Sequence, residues 1–230
     1  MAEHDSRRVV IAIDGPAGAG KSTIAQRLAN RLGFTYIDSG AMYRAVALWA
    51  LRSGLAPSDR HRMEQLAAAA AIELAPGKVE LNGEDVSQAI RAPEVGEAAS
   101  QVAAIPGVRR ALVEKQRAIG ERASVVMEGR DIGTVVFPNA DVKIFLDADA
   151  TERTRRRARD YQSRGNTMTA EAVAEHIRNR DERDRGRRAS PLTQAPDALY
   201  VDSTDRTIEE VEEEILRIVR KRISNGRDFR

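Results

Sequence analysis

The segment Gly15-Pro16-Ala17-Gly18-Ala19-Gly20-Lys21-Ser22, followed by Thr23, has the spacing G-x4-G-K-[ST]. That pattern can hold an oligophosphate. Glycines let the backbone curl until successive N–H groups face one anion, and a helix start adds partial positive charge there. Lys21 can then reach the β- and γ-phosphates, and the Ser22 hydroxyl can join the shell of a Mg²⁺ ion. Gly15 to Thr23 are therefore expected to bind a nucleoside triphosphate, with Lys21 as the charged member and Ser22 as the metal ligand.

Two further clusters suit a second anion. Asp38-Ser39-Gly40-Ala41-Met42-Tyr43-Arg44 and Glu128-Gly129-Arg130-Asp131-Ile132-Gly133 each follow an apolar run directly. Ligands of open α/β sheets bind beyond the carboxyl ends of the strands, where Arg44, Arg130 and Asp131 would project. Ser39 is expected to cap the helix after its run, and Gly129 and Gly133 to permit close backbone approach. The cationic residues number 37, of which five are Lys and the rest Arg. Arginine's fixed charge and planar fork suit bidentate grips on phosphate. A switch GTPase would need Asn-Lys-x-Asp after a late strand, and the nearest string, Asn179-Arg180-Asp181-Glu182, fails that test. A motor ATPase would be longer. Arginines at several separate places favour a site that holds two phosphate-bearing substrates end to end.

The elements that must position these residues follow from periodicity. Short apolar runs alternate with helical patterns, which predicts an α/β fold with a parallel sheet. Five runs read as buried strands: Val9–Ile13, Phe34–Ile37, Ser124–Met127, Val142–Leu146 and Leu199–Val201. The helix after the glycine loop (Ile24, Leu28, Leu32) is expected to end near Gly33. Pro106 can open a helix, and Thr207 with Glu210 reads as a capping box. The last helix aligns Ile208, Val211, Ile215, Ile218, Val219 and Ile223, leaving the run Glu209–Glu214 largely solvated.

Two segments break the alternation. Residues 56–105 contain an Ala-rich helical stretch (Leu66–Ala71), then a small hairpin, Ile72–Leu74 and Lys78–Leu81, around Pro76-Gly77, with another turn at Asn82-Gly83. Residues 151–188 carry 12 Arg against seven acids, a local charge of +5 in a chain of net +2. Their hydrophobic periodicity is weak, as in a mobile flap or a solvated helical hairpin. At 42% hydrophobic residues the chain can build a core, and with only 4% aromatics that core is aliphatic. Absent cysteine excludes disulfides, Cys-ligated zinc and thiol catalysis. Near-balanced charge argues against non-specific nucleic-acid coating, although the pI near 9.1 leaves room for a local basic site. A polar start without a following apolar stretch, and no run of ~18–20 apolar residues, predict a cytoplasmic protein with no membrane partner.

GPAGAGKST, DSGAMYR, EGRDIGTVVFPNA, VKIFLDA and RDERDRGRRASPL together resemble the bacterial cytidylate kinase family over residues 9–224. The resemblance implies a P-loop nucleoside monophosphate kinase: a five-stranded parallel sheet flanked by helices, with an enlarged NMP-binding insert (about 56–105) and a mobile lid (about 151–188). The core would be about 1–55, 106–150 and 189–230 of a single domain. Arg44, Arg130 and Arg180 then resemble the grips on the acceptor 5′-phosphate. Ser100, Arg109 and Arg187 resemble the cytosine readers, and Arg donors suit O2 and N3. Asp184 resembles the partner of the sugar hydroxyls, and Ser39 and Asp131 join the CMP site. Arg153, Arg156 and Arg157 resemble lid arginines that close on ATP, so Arg153 and Arg157 are expected to be catalytic beside Lys21. Glu128 stands where many relatives have Asp.

The implied reaction is ATP + CMP (or dCMP) ⇌ ADP + CDP (or dCDP) by a monomer, with Mg²⁺ accompanying ATP. Arg130→Ala is expected to lose turnover with little change in thermal stability. Two alternatives stay open: a P-loop kinase acting on UMP, AMP or shikimate, and a nucleotide-gated RNA-binding module using 151–188. Against the latter, seven acids interleave with those arginines and no aromatic stacking pattern accompanies them. The ends, about 1–7 and 225–230, read as frayed.

Overall fold

A computed structural model describes residues 8–163, 165 and 168–225. The ends read as frayed lie outside the described residues, apart from the backbone of Asn225. β1 (Val10–Asp14) runs through the glycine loop into α1 (Lys21–Leu32), and β2 (Thr35–Asp38) passes straight into α2 (Ser39–Arg52). Then come α3 (Arg60–Ala69), β3 (Ile72–Ala75), β4 (Lys78–Leu81), β5 (Glu84–Asp85) and α4 (Pro93–Val102). The chain returns through α5 (Pro106–Gly120) to β6 (Val125–Gly129), a π-helical turn (Ile132–Val136) and β7 (Val142–Asp147). α6 (Ala150–Gln162) and α7 (Ala170–Gly186) precede β8 (Leu199–Asp202) and α8 (Ile208–Asn225).

The main sheet has five parallel strands in the order β2-β6-β1-β7-β8. All five strands expected from apolar runs are present, displaced by a residue or two at their ends. Helices cover both faces. Ile11 and Ile13 of β1 pack with Ile24, Leu28, Leu146, Ile215 and Val219, while Ala12 turns to Val125, Met127 and Val136. This is the two-residue alternation of a strand buried on both sides. The order places the carboxyl ends of β1, β2 and β6 abreast, with Ile13 and Asp38 both in register with Glu128. That edge is where the chemistry gathers.

The insert's hairpin is observed, and the Asn82-Gly83 turn adds a short third strand. Met63, Ala67, Leu81, Val86, Ile90 and Val95 pack with Met42 and Val46 of α2, so the insert shares its core with the main body. The basic segment is a pair of packed helices holding a small cluster of Tyr161, Val173 and Ile177. Among the described residues no helix is long and apolar enough to cross a membrane.

Helix signals read from the sequence are realised at Gly33, Pro106 and Thr207, where Thr207 and Glu210 exchange side chain to backbone hydrogen bonds of 2.8 and 3.2 Å. One expectation needs correction. Asp38, not Ser39, caps α2: its carboxylate accepts from the Ala41 amide at 3.0 Å, while the Ser39 hydroxyl donates to the Glu128 carbonyl at 2.6 Å. The acidic run of α8 is largely solvated as expected, Glu212 being the exception, buried against Arg27 (2.5 Å) and Arg31 (3.4 Å) of α1. A buried carboxylate needs such partners.

Candidate active site

The donor half is made of backbone. Gly15 has φ 151°, and a Cβ there would fall 1.9 Å from the Leu146 carbonyl oxygen, so only glycine lets the loop pass β7. Gly20 caps α1 in the left-handed region, with φ 89°. Lys21 is buried, and its Nζ donates to the Pro16 carbonyl at 2.6 Å across the loop. Burial, with Arg130 and Arg180 nearby, lowers its pKa to about 7 despite Glu128 and Asp14. A polyanion in the loop would reverse that balance and hold the ammonium charged. Ser22 opens α1 and is exposed to the cleft.

Glu128 faces the same spot. Tyr36 Oη donates to Glu128 Oε1 at 2.8 Å. Burial and the neighbouring Asp38 raise the Glu128 pKa, while Lys21 and the Ser22 hydroxyl favour its charged form. Among the described residues no group of three or more His, Cys, Asp or Glu could hold a metal by itself. The donor set at Ser22 and Glu128 therefore fits a Mg²⁺ that arrives on nucleotide phosphates, not one caged by protein.

The acceptor half is made of side chains from five elements. Arg44 of α2 donates to Asp38 at 2.6 Å, and Arg130, just past β6, donates to Asp184 of α7 at 2.8 Å. Arg109 of α5 is buried, pairs with Asp131 and lies 5.3 Å from the Tyr43 ring centroid. Arg180 of α7 is pushed down to about 10 by burial and by Arg130, Arg157 and Arg44, against Asp184. Guanidiniums crowd together this way only at a cost that an anion would relieve. Burial pushes the Asp184 carboxyl up, but Arg130, Arg180 and Arg187 outweigh it and hold it below its usual range.

Several buried atoms in this half have no hydrogen-bond partner in the protein: Tyr43 Oη, Ser100 Oγ, Arg109 Nε, Arg180 Nε, and Arg187 Nε and Nη2. Buried polar groups are almost always satisfied, so a cluster of unsatisfied ones marks a place built for a polar ligand. All of these side chains line one cleft of about 840 Å³, shared with the glycine loop. Ser39, Arg44, Arg130, Asp131 and Asp184 line it too.

The basic helices meet expectation only in part. Arg156 lies over the donor loop, with its guanidinium 2.8 Å from Ser203 Oγ and 3.4 Å from the Ala19 carbonyl. Arg157 lines the cleft and stacks 4.7 Å from the Tyr161 ring centroid. Arg153 does not line that cleft. It is buried, pairs with Asp181, and donates to the carbonyls of Ala17 (3.1 Å) and Ala148 (3.0 Å). Asp181 also accepts from the Ala17 amide at 3.3 Å. One buried ion pair thus ties both basic helices to the donor loop, with Arg153 Nε and Nη1 engaged by protein acceptors.

Four participants were not anticipated from sequence. Asp38 and Tyr43 lay inside a motif already singled out, and Asp14 carried a signal as an acid closing a strand just before Gly15. Asp181 had none, being one acid among many in a charged run.

A family model for cytidylate kinase matches residues 11–221 of the chain. A cytidylate kinase of Solibacter usitatus (strain Ellin6076) is 64% identical over 231 residues, covering 100% of both chains. A cytidylate kinase of Caldanaerobacter subterraneus subsp. tengcongensis is 51% identical over 213 residues, covering 93% of this chain and 95% of its own. Among solved structures, a protein from Eubacterium ventriosum with no assigned function superposes with a TM-score of 0.55 at 12% identity, covering 94% of this chain and 99% of that one. That likeness supports the fold alone.

Proposed function

Since the chain belongs to the cytidylate kinase family, we propose that it transfers the γ-phosphoryl group of ATP to CMP or dCMP, giving ADP and CDP or dCDP. The observation that carries this reading is the set of unsatisfied buried donors on Arg109, Arg180 and Arg187, with Ser100 and Tyr43, in the cleft that also holds the glycine loop. A cytosine offers acceptors at O2 and N3, and a 5′-phosphate offers a dianion. Both complement what those side chains present.

In this reading Arg44, Arg130 and Arg180 grip the acceptor phosphate, Ser100, Arg109 and Arg187 read the base, and Asp184 serves the sugar. Ser39 and Asp131 shape the same pocket: Asp131 orients Arg109, and Ser39 fixes the start of α2. The acceptor phosphate is already anionic, so no strong general base is required. The chain contributes alignment of the two phosphates and positive charge around the transferring group. Lys21 and Arg157 supply that charge, with Arg156 beside the donor loop. Ser22 would bind Mg²⁺ with the ATP phosphates, supported by Glu128. When bound, Mg²⁺ neutralises charge on the β- and γ-phosphates. Residues 56–105 act as the NMP-binding insert and 151–188 as a lid whose closure excludes water. In this reading the chain acts as a monomer.

The RNA-binding alternative loses its footing, since Glu152, Asp181 and Glu97 engage arginines of the basic helices. ADP release measured with CMP, dCMP, UMP and AMP in parallel tests the proposal. Turnover with the cytidine nucleotides well above the others is expected; inactivity on both, with ATP still bound, would overturn it.

A further inference from the structure

Asp14 ends β1 and immediately precedes Gly15, so its backbone is continuous with the donor loop. Its side chain reaches towards the acceptor half. Oδ1 accepts from the Ile132 amide at 2.8 Å and Oδ2 from the Gly133 amide at 2.7 Å. Those two residues open the π-helical turn that follows Arg130-Asp131 directly. The carboxylate is 4% exposed, so an ionised group is kept in the interior. Burial raises its pKa to about 6 even against the two amides. The sheet itself does not require this group, because the β1–β6 ladder already runs to Asp14 and Gly129 through backbone pairing.

We propose that Asp14 is a positioning residue that sets the register between the donor phosphate loop and the acceptor arginine turn, and so the in-line approach of the two reacting groups. This rests on the kinase reading above. The lever is short. Arg130 is committed to Asp184 and Asp131 to Arg109, so a tilt of the turn at Ile132 and Gly133 shifts a phosphate grip and a base reader together. In associating reactants a displacement near 1 Å, made away from the chemistry, can cost about 10²-fold in rate. Binding of either nucleotide alone depends on one half of the cleft and tolerates such a shift better.

The test is Asp14→Asn, nearly isosteric, which keeps one acceptor and turns the other into a donor facing an amide. Its kcat on CMP, per folded molecule, should fall about 10²-fold, while the Kd for ATP without acceptor moves less than about threefold. A purely structural role would instead lower thermal stability and leave kcat per folded molecule unchanged, which would overturn the proposal. Should Asp14→Asn fail to fold, Gly133→Ala perturbs the same turn with the carboxylate intact. The added methyl would lie 3.1 Å from Lys143 Cδ and 3.3 Å from Asp14 Oδ2. A fall in kcat of about tenfold with ATP binding unaltered is expected there, and an unchanged kcat overturns the proposal. A parent chain inactive on CMP would overturn the kinase reading and this proposal with it. An active parent with an equally active Asp14→Asn overturns this proposal alone.

Discussion

The two halves of the cleft are built by different means, and in the proposed reading each holds an anion. The donor half is one continuous loop whose amides, glycine conformations and following helix start come from adjacent residues, with a single buried lysine reaching back across it. The acceptor half is assembled from α2, α4, α5, the turn after β6 and α7, and its cations are already paired with Asp38, Asp131 and Asp184. Backbone amides cannot be exchanged by substitution and have no rotamers to order, so a loop suits an invariant polyphosphate. Side chains from separate elements can be moved independently, which suits discrimination among acceptors and coupling to closure. The carboxylates keep the arginines charged, separated and aimed while no ligand neutralises them.

Substitution in each half should therefore fail differently. Lys21→Met gives the largest effect: kcat should drop by about 10³-fold or more, since its charge is needed where negative charge develops. Thermal stability should hold or rise, because burial already disfavours that ammonium. A variant that loses stability in parallel with rate would erase the contrast between the halves. Arg130→Ala should lose about 10²–10³-fold in kcat/KM for CMP. The variant also breaks the 2.8 Å bond to buried Asp184. A cost of about 1–3 kcal/mol in denaturant melts is expected, softened by Arg180 and Arg187 beside the same carboxylate. Ser100→Ala should narrow the preference for CMP over UMP by about tenfold or less, the weight of one neutral hydrogen bond.

Asp14 gives a pH test of the seam between the halves. Its folded-state pKa, raised to about 6, exceeds the ordinary carboxylate value, so the folded chain holds that proton more tightly. The stability this contributes is present below about pH 4 and is lost as pH rises through about 6. From about pH 5 to about pH 7.5 the parent should lose about 1 kcal/mol more than Asp14→Asn in denaturant melts. The smallest effect belongs to the contact between α4 and α7, where Arg183 grips Glu97 at 2.6 and 2.8 Å. Glu97→Gln should change stability by less than about 1 kcal/mol, as partly exposed pairs do. A large loss of turnover there would make closure, not charge, the dominant element of the acceptor half.

Much of this molecule was legible without coordinates, for reasons that differ by element. The strands showed because two-sided burial forces continuous aliphatic runs, as at Val142–Leu146, and the glycine loop showed because its geometry tolerates few other residues. The insert's hairpin was marked by Pro76-Gly77 and Asn82-Gly83. Arg153, Arg156 and Arg157 lie at i, i+3 and i+4 and so share a helix face in sequence, and only packing decides that Arg153 meets Asp181 while Arg156 and Arg157 line the cleft. The burial of Glu212 within that largely solvated run had no local signal, since the facing arginines of α1 lie some 180 residues away in the chain.

Local chemistry settled what this chain can hold: a backbone cradle for phosphates, arginines in number, and apolar runs able to build the sheet that carries them. Those properties depend on neighbours within a few residues, so composition and spacing encode them. Which carboxylate restrains which guanidinium, which arginine is spent on structure, and that Asp14 bridges the two halves were decided by the tertiary structure. The strand order β2-β6-β1-β7-β8 and the crossing of α7 over the sheet edge bring together groups more than a hundred residues apart, and no local pattern records which of them will touch.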